Sequence, residues 1–219
     1  MSTLAQLSMG ISGDRYQIGE YYADEGGYYA GLMEYPEGVC ALFLAPKSAE
    51  ITAQMSTGSS VYGSSVLDGR YNTYRQQLPS TYFPALTHCY NYAGGGHKDW
   101  YMGSRQEMVK VFRELARADG SNTSTGYGAV PESIPAYLNF SLQPSTASSS
   151  ANFIAGGGQA LDAAFYWSST TTGNTVIMSS GTYASQSTTN SYRVRPIRRK
   201  LVTPKQLQTV IGSNIGGTA

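Results

Sequence analysis

Cysteine, charge and long apolar runs are all scarce in this chain, and each shortage removes a class of protein. Two cysteines, Cys40 and Cys89, are too few for the disulfide frameworks that hold small secreted domains together. Charged residues make up 13% of the 219 and the net charge is +1, so no long-range field draws nucleic acid or an anionic membrane to the fold. No segment approaches the roughly 20 apolar residues of a membrane span. The opening "MSTLAQLSMGISGDRYQ" has neither a basic n-region nor a continuous apolar h-region, which predicts a soluble product made without a signal peptide.

Reactive and metal-binding groups are thin as well. Cys40 sits in the apolar run "GVCALFLA", a buried strand by pattern, and Cys89 follows His88 in "LTHCYNY". Two buried, unreactive thiols are expected, with a bridge between them as the alternative. His88, His97 and Cys89 suggest zinc, but adjacent residues on a strand point to opposite faces and a fourth ligand is not evident. "AGGGHKD" lacks the Gly-Lys-Ser/Thr ending of a phosphate-cradling loop. Neither metal nor cofactor is expected.

What the chain does have is glycine (25) and tyrosine (18), so its surface is carried by Ser, Thr, Asn, Gly and phenol hydroxyls, a neutral and adhesive composition. The length suits one undivided domain. Residues 1–15 read as an N-terminal arm, 16–200 as the domain and 201–219 as a C-terminal arm. Two β-rich stretches flank Pro36, Glu37 and Gly38, with a turn at Glu25, Gly26 and Gly27. Residues 52–65 are small and polar, hence loop, and "LDGRYNTYRQQL" is a short helix that Pro79 ends. The clearest helix starts at Ser104, where Glu107 completes a reciprocal capping box; Met108, Val109, Phe112, Leu115 and Ala116 then share one face and Gly120 stops it. Residues 122–158 offer only loops and short strands.

Near the C-terminus, "FYW", "TVIM" and "YRVR" favour strands, separated by the turn chemistry of Gly173 and Asn174 and of Ser180 and Gly181. This predicts a meander with a polar outer face. Past Lys200, Pro204 suits a helix start and Leu207, Val210 and Ile211 share one side, too short a stripe to stand alone and so a candidate assembly contact.

Three landmarks, "GGGHKDWYMGSRQEM", "FYWSST" and "YRVRPIRR", together resemble the lectin-like C-terminal domain of bacterial collagen-like adhesins and its phage relatives, of the C-type-lectin-like and formylglycine-generating-enzyme superfamily. Asp99 and Trp100 match the family's Asp-Trp pair, and Ser104, Glu107 and Met108 its helix start, with Met102 and Gly103 where the family has Leu-Pro. Tyr166, Trp167, Ser168, Ser169 and Thr170 match its strand. Val194, Arg195, Pro196, Ile197 and Arg198 match its close with one conservative change. The resemblance spans residues 16–199 and implies an α+β, C-type-lectin-like fold: twisted antiparallel sheets with two helices and long loops. It does not name a ligand, because the fold hosts unrelated activities.

The landmarks also have a plain physical reading. Trp100 and Trp167 suit buried plates with locally bonded indole N–H groups. Arg193 and Arg195 share a strand face, Arg198 lies beyond Pro196, and ion pairing with carboxylates such as Asp99 or Glu107 accounts for them. A formylglycine-generating oxidase resembles this chain in fold only, since it needs neighbouring cysteines near its last sheet and none follows Cys89. The calcium loops of C-type lectins are absent too, Gln143, Pro144 and Ser145 matching in part but without the carboxylate calcium requires.

The remaining candidate surface is the meander and its turns: Thr171, Thr172, Asn174, Tyr183, Gln186, Asn190 and Tyr192, residue types used by evolved paratopes. The resemblance implies a non-enzymatic phage virion protein displaying a lectin-like domain for host-surface recognition, on a tail fibre or the head. Its expected partners are other virion proteins, a host glycan or surface protein, and copies of itself, a trimer first. Capsid or tail decoration is the alternative, and an oxidase the remotest.

Overall fold

Apolar residues at every position of a strand mean that both of its faces are covered, and the run "GVCALFLA" is buried in that way. β2 (Gly27–Tyr35) and β3 (Gly38–Leu44) form an antiparallel hairpin across Pro36 and Glu37. On β3, Cys40, Leu42 and Leu44 enter one hydrophobic core while Ala41 and Phe43 enter another behind the sheet, as the two-residue side-chain period requires. β1 (Tyr21–Tyr22) extends the sheet beside β2, β10 (Ile197–Pro204) lies antiparallel on β3, and β5 (Ser133–Ile134) pairs β2 at Leu32 and Met33.

The computed structural model describes residues 16–58, 60–116, 130–134, 151–153, 156–171 and 174–204, and they form an α+β fold of two sheets with three α-helices. The second sheet runs β4 (Ile51–Gln54), β9 (Ser191–Val194), β6 (Phe165–Trp167), β7 (Thr175–Ile177), β8 (Tyr183–Ala184) in spatial order. α1 (Gly69–Tyr74) is capped by Asp68, α2 (Pro84–Asn91) begins with proline at its first turn, and α3 (Arg105–Val111) continues into a π turn over Phe112–Ala116.

α3 lies between β2 of the first sheet and β7 of the second, so its stripe Met108, Val109, Phe112 and Leu115 joins Leu42, Leu44, Tyr166 and Val176 in the main core. A second core packs α2 residues Ala85, Leu86 and Cys89 against Met55, Trp167 and Val194. Gly31 breaks the β2 register at φ +97°, and a side chain there would meet Lys110 Cε at 2.6 Å. The bulge therefore makes room for Lys110, which is buried and donates to Glu114 and Ser133 at 2.8 Å.

Several expectations from sequence are revised. "LTHCYN" of the run "LTHCYNY" is helical, part of α2, because Pro84 starts a turn whose Ala85, Leu86 and Cys89 bury at helical spacing; His88 and Cys89 are helical neighbours. The helices number three among the described residues, not two. β6, β7 and β8 form the expected meander, but β9 returns on the far side of β6 in parallel, with Tyr166 opposite Arg193, so the second sheet is mixed. The tail beyond Lys200 begins as strand rather than arm, β10 reaching Pro204 against Gly38. Gly120, Gln143, Pro144 and Ser145 lie outside the described residues.

Candidate functional site

The three sequence landmarks meet in space, and their polar residues bond to one another. Ser169 donates its N–H to Gly103 O at 2.8 Å and its hydroxyl to the same carbonyl at 3.2 Å. Thr170 Oγ1 accepts from Arg105 N at 3.1 Å and donates to Ser65 O at 2.9 Å, so the strand close and the α3 start are clamped together. Tyr101 and Ile197 exchange both backbone hydrogen bonds at 2.9 Å, and Arg198 pairs with Asp99 at 2.5 Å and Glu25 at 2.8 Å. Hydroxyls of Ser168, Ser169 and Thr170 are thus internal. Buried hydroxyls with partners hold segments in register, whereas exposed ones would not.

Glu107 is the hub. It accepts from Tyr35 Oη (2.6 Å) and Tyr101 Oη (2.8 Å) on one oxygen, and from Gly69 N (2.9 Å) and Ser104 N (2.7 Å) on the other. Burial pushes its carboxyl above the ordinary value of 4.5, against the pull of Arg199 and of the Tyr35, Ser104 and Tyr101 donors. Glu25 goes the other way. Burial opposes its charge, but hydrogen bonds from Lys200, Tyr16 and Arg198 outweigh it and hold the carboxyl down at about 2. Arg195 is buried and donates to Ala45 O (2.6 Å), Gln159 O (2.9 Å) and Gln159 Oε1 (3.0 Å), while Arg193 pairs with Glu50 and Asp162 at 2.8 Å. The arginine-rich close is structural throughout its described length. Trp100 and Trp167 are buried plates with Nε1 on Gly94 O and Ala53 O, the second bond reaching across 114 positions.

Beside this lock lies a cleft of about 380 Å³, lined by Met55, Gly58, Ser60 and Val61 on one wall and by Ser169, Thr170, Thr171, Asn174 and Thr188 on the other. Its size is that of a small-ligand site. The walls are fixed to each other: Thr171 donates N–H and Oγ1 to Gly63 O at 2.9 and 2.8 Å, and Ser56 N donates to Thr188 O at 3.0 Å. Gly63 is obligatory there, since a Cβ would stand 1.9 Å from Ser169 O. Asn72 bridges Ser65 and Ser169, and Gln76 holds Tyr62 O at 2.8 Å, so α1 backs the first wall. Tyr62 and Tyr82 stand exposed on the segments that flank this wall.

Of the residues expected in the binding surface, Thr171 and Asn174 border the cleft. Asn174 is buried, its amide occupied at both ends by the Gln186 backbone at 2.7 Å, which fixes the turn. Gln186, Asn190 and Tyr192 form a hydrogen-bonded chain, Asn190 to Tyr192 Oη at 3.1 Å and Tyr192 Oη to Gln186 Oε1 at 2.9 Å. Tyr183 is separate, half-buried on β8 with the Arg105 guanidinium 4.2 Å from its ring centre. Thr172, Leu207, Val210 and Ile211 lie outside the described residues. Met55, Ser60, Val61, Ser169, Thr170 and Thr188 were not foreseen, because the cleft forms between segments more than 100 positions apart.

The lining offers hydroxyls and the apolar Met55 and Val61, with no charged side chain among the described lining residues. Such a surface hydrogen-bonds neutral polar ligands and covers their apolar patches. Elsewhere, Cys40 and Cys89 are free and buried, the Cys40 thiol pushed up to about 12 by burial and that of Cys89 also raised. His88 and His97 bond to Ala49 O and Asp24 O at separate places, and no group of three metal-ligating side chains occurs among the described residues. No described helix is long and apolar enough to cross a membrane. No protein-family model, curated protein or solved structure matches the chain.

Proposed function

We propose that this is a C-type-lectin-like domain of a phage virion protein, and that its cleft recognises a saccharide on the host surface without catalysis. The fold reading rests on the landmark residues and is supported by their mutual bonding: Asp99 with Arg198, Ser104 with Glu107, Ser169 and Thr170 with the α3 start. The phage assignment rests on that resemblance alone.

The observation that carries the functional reading is the lining of the cleft: hydroxyls around Met55 and Val61, with the exposed Tyr62 following Val61 and the exposed Tyr82 bonded through its carbonyl to Thr57 N. Saccharides match it, because their rings present hydroxyls at the edge and C–H faces above and below. Stacking on Tyr62 or Tyr82 adds contact area at small entropic cost.

The test is binding of bead-displayed protein to bacterial cells and envelope extracts, comparing the wild type with Ser60→Trp, which fills the cleft from an exposed wall position. Wild-type beads bind and the filled variant does not, at equal thermal stability. Equal binding by the two proteins, or none by either, defeats the reading.

Structural decoration is the second reading, favoured by one feature. β10 pairs with β3 on one side and, past the Ile197 bridge to Tyr101, pairs with no further described strand on the other, and its Leu201 is 45% exposed. Such edges template chain-to-chain pairing. Under that reading Leu201→Lys abolishes incorporation into particles and leaves cell binding by the free protein intact.

A further inference from the structure

Two residues of chain connect the neutral cleft wall to a cation that nothing in the described fold neutralises. Arg193 and Arg198 are paired to carboxylates and Arg195 to carbonyls, but Arg75, exposed at the C-terminal end of α1, has no ion pair among the described residues. Its Nη1 donates to Ser64 Oγ at 3.2 Å and its guanidinium lies 5.2 Å from the centre of the exposed Tyr71 ring. Ser64 follows Gly63, whose carbonyl takes both hydrogen bonds from Thr171 in the cleft wall. The planar cation is therefore held from two sides one residue along the chain from Gly63, and a single 3.2 Å hydrogen bond leaves most of the five N–H donors of this exposed side chain open. Stacking on an aromatic ring preorganises a guanidinium, so less freedom is lost when it forms a two-pronged contact.

We propose that the ligand of the cleft is an anionic saccharide whose ring hydroxyls meet the cleft wall while its acidic group is taken by Arg75. This inference rests on the cleft being the recognition site. A carboxylate and a phosphodiester each present two oxygens at the spacing of the guanidinium fork, so both count as the acidic group. An exposed pair of this kind is weak singly and sensitive to salt, which suits a protein displayed in many copies, where linked weak contacts multiply.

The experiment is an array of immobilised bacterial-type glycans, with neutral, uronic-acid, nonulosonic-acid and phosphodiester-linked members. It is probed with the full chain on beads as wild type, Arg75→Gln, Arg75→Lys, Arg70→Gln and Ser60→Trp. Wild type is expected on acidic members, with the carboxylate members lost on methyl esterification and the phosphodiester members distinguishing the second source. Arg75→Gln lowers binding to acidic members by at least about fivefold, the loss of one exposed pair multiplied over the bead, Arg75→Lys keeps part of it, and Arg70→Gln, on the same helix over Tyr74, matches wild type. Ser60→Trp removes all binding. Binding to neutral members that Arg75→Gln does not change overturns the anionic ligand and leaves the cleft reading standing. Binding that survives Ser60→Trp, or none anywhere, overturns both. Unfolding temperatures of the Arg75 variants within about 2 °C of wild type, the scale of less than 1 kcal/mol for this length, show that the fold is not the cause.

Discussion

Replacing Glu107 tests whether one buried carboxylate holds the landmarks together. The side chain is fully buried, and four donors converge on it: two phenols, the Gly69 N–H at the head of α1 and the Ser104 N–H at the head of α3. In Glu107→Ala all four lose their acceptor. Each unsatisfied buried donor costs about 1–3 kcal/mol, while removing the carboxylate also removes its own desolvation cost, so the net loss is about 3–5 kcal/mol. Glu107→Gln keeps the shape. Its amide oxygen can serve the two backbone N–H groups and its NH₂ can donate to the two phenol oxygens, but the phenol hydrogens then lack an acceptor. That loss is about 2 kcal/mol, or about 4–8 °C in melting temperature for a chain of this length.

The same variant has a pH signature. The carboxyl of Glu107 lies above 4.5 in the folded state, so its contribution is full below the unfolded value near 4.5 and declines as pH rises through the folded value. The gap between wild type and Glu107→Gln therefore widens on acidification from neutral pH to about 4.5. Urea unfolding followed by far-UV circular dichroism at a series of pH values measures both effects. Glu107→Gln within about 0.5 kcal/mol of wild type, or a gap that narrows on acidification, refutes the reasoning.

Glu25 predicts the opposite pH trend. Its lowered carboxyl stabilises the fold above about 4.5 and loses that contribution as pH falls toward about 2, so Glu25→Gln flattens the acid limb of the stability profile; an unchanged acid limb counts against the Lys200, Tyr16 and Arg198 partnership. Arg195→Ala leaves Ala45 O and Gln159 O without their donor, Gln159 Oε1 keeping the Lys47 N–H, and a urea titration should show a loss of about 2–5 kcal/mol, with Arg195→Lys recovering little of it because an ammonium lacks the fork. A thiol reagent at pH 8 should label neither cysteine in the folded protein and both in denaturant, given burial and the raised thiol pKa values. Gly63→Ala drives a Cβ into Ser169 O, so the two cleft walls part; amide exchange at Thr171 should speed up at least tenfold, corresponding to about 1.4 kcal/mol of local opening.

Parts of the fold governed by near neighbours were legible in the sequence. The Ser104 and Glu107 capping box needs only a three-residue spacing, and the β2 and β3 hairpin only two apolar runs around a proline-bearing turn. The pairing of Arg198 with Asp99 followed from expecting each buried charge to find a partner. Legibility failed where distant segments decide. The histidine and cysteine of "LTHCYNY" favour neither helix nor strand strongly, and α2 exists because Met55 and Trp167 cover its apolar side. Ser168, Ser169 and Thr170 look like surface residues by type, yet Gly103, Ser65 and Asn72 supply the partners that let them bury. For the same reason only Thr171 and Asn174 of the candidate surface residues border the cleft, and the Asn174 amide fixes a turn rather than facing outward.

The most direct test of the central claim, that the neutral cleft is where the outside world is read, is amide chemical-shift mapping of the full chain as the array-selected glycan is titrated in. Shifts confined to Ser60, Val61, Tyr62, Arg75, Thr171 and Thr188 are the predicted result. Shifts gathered instead on β10 or α2, with those amides unmoved, would contradict it.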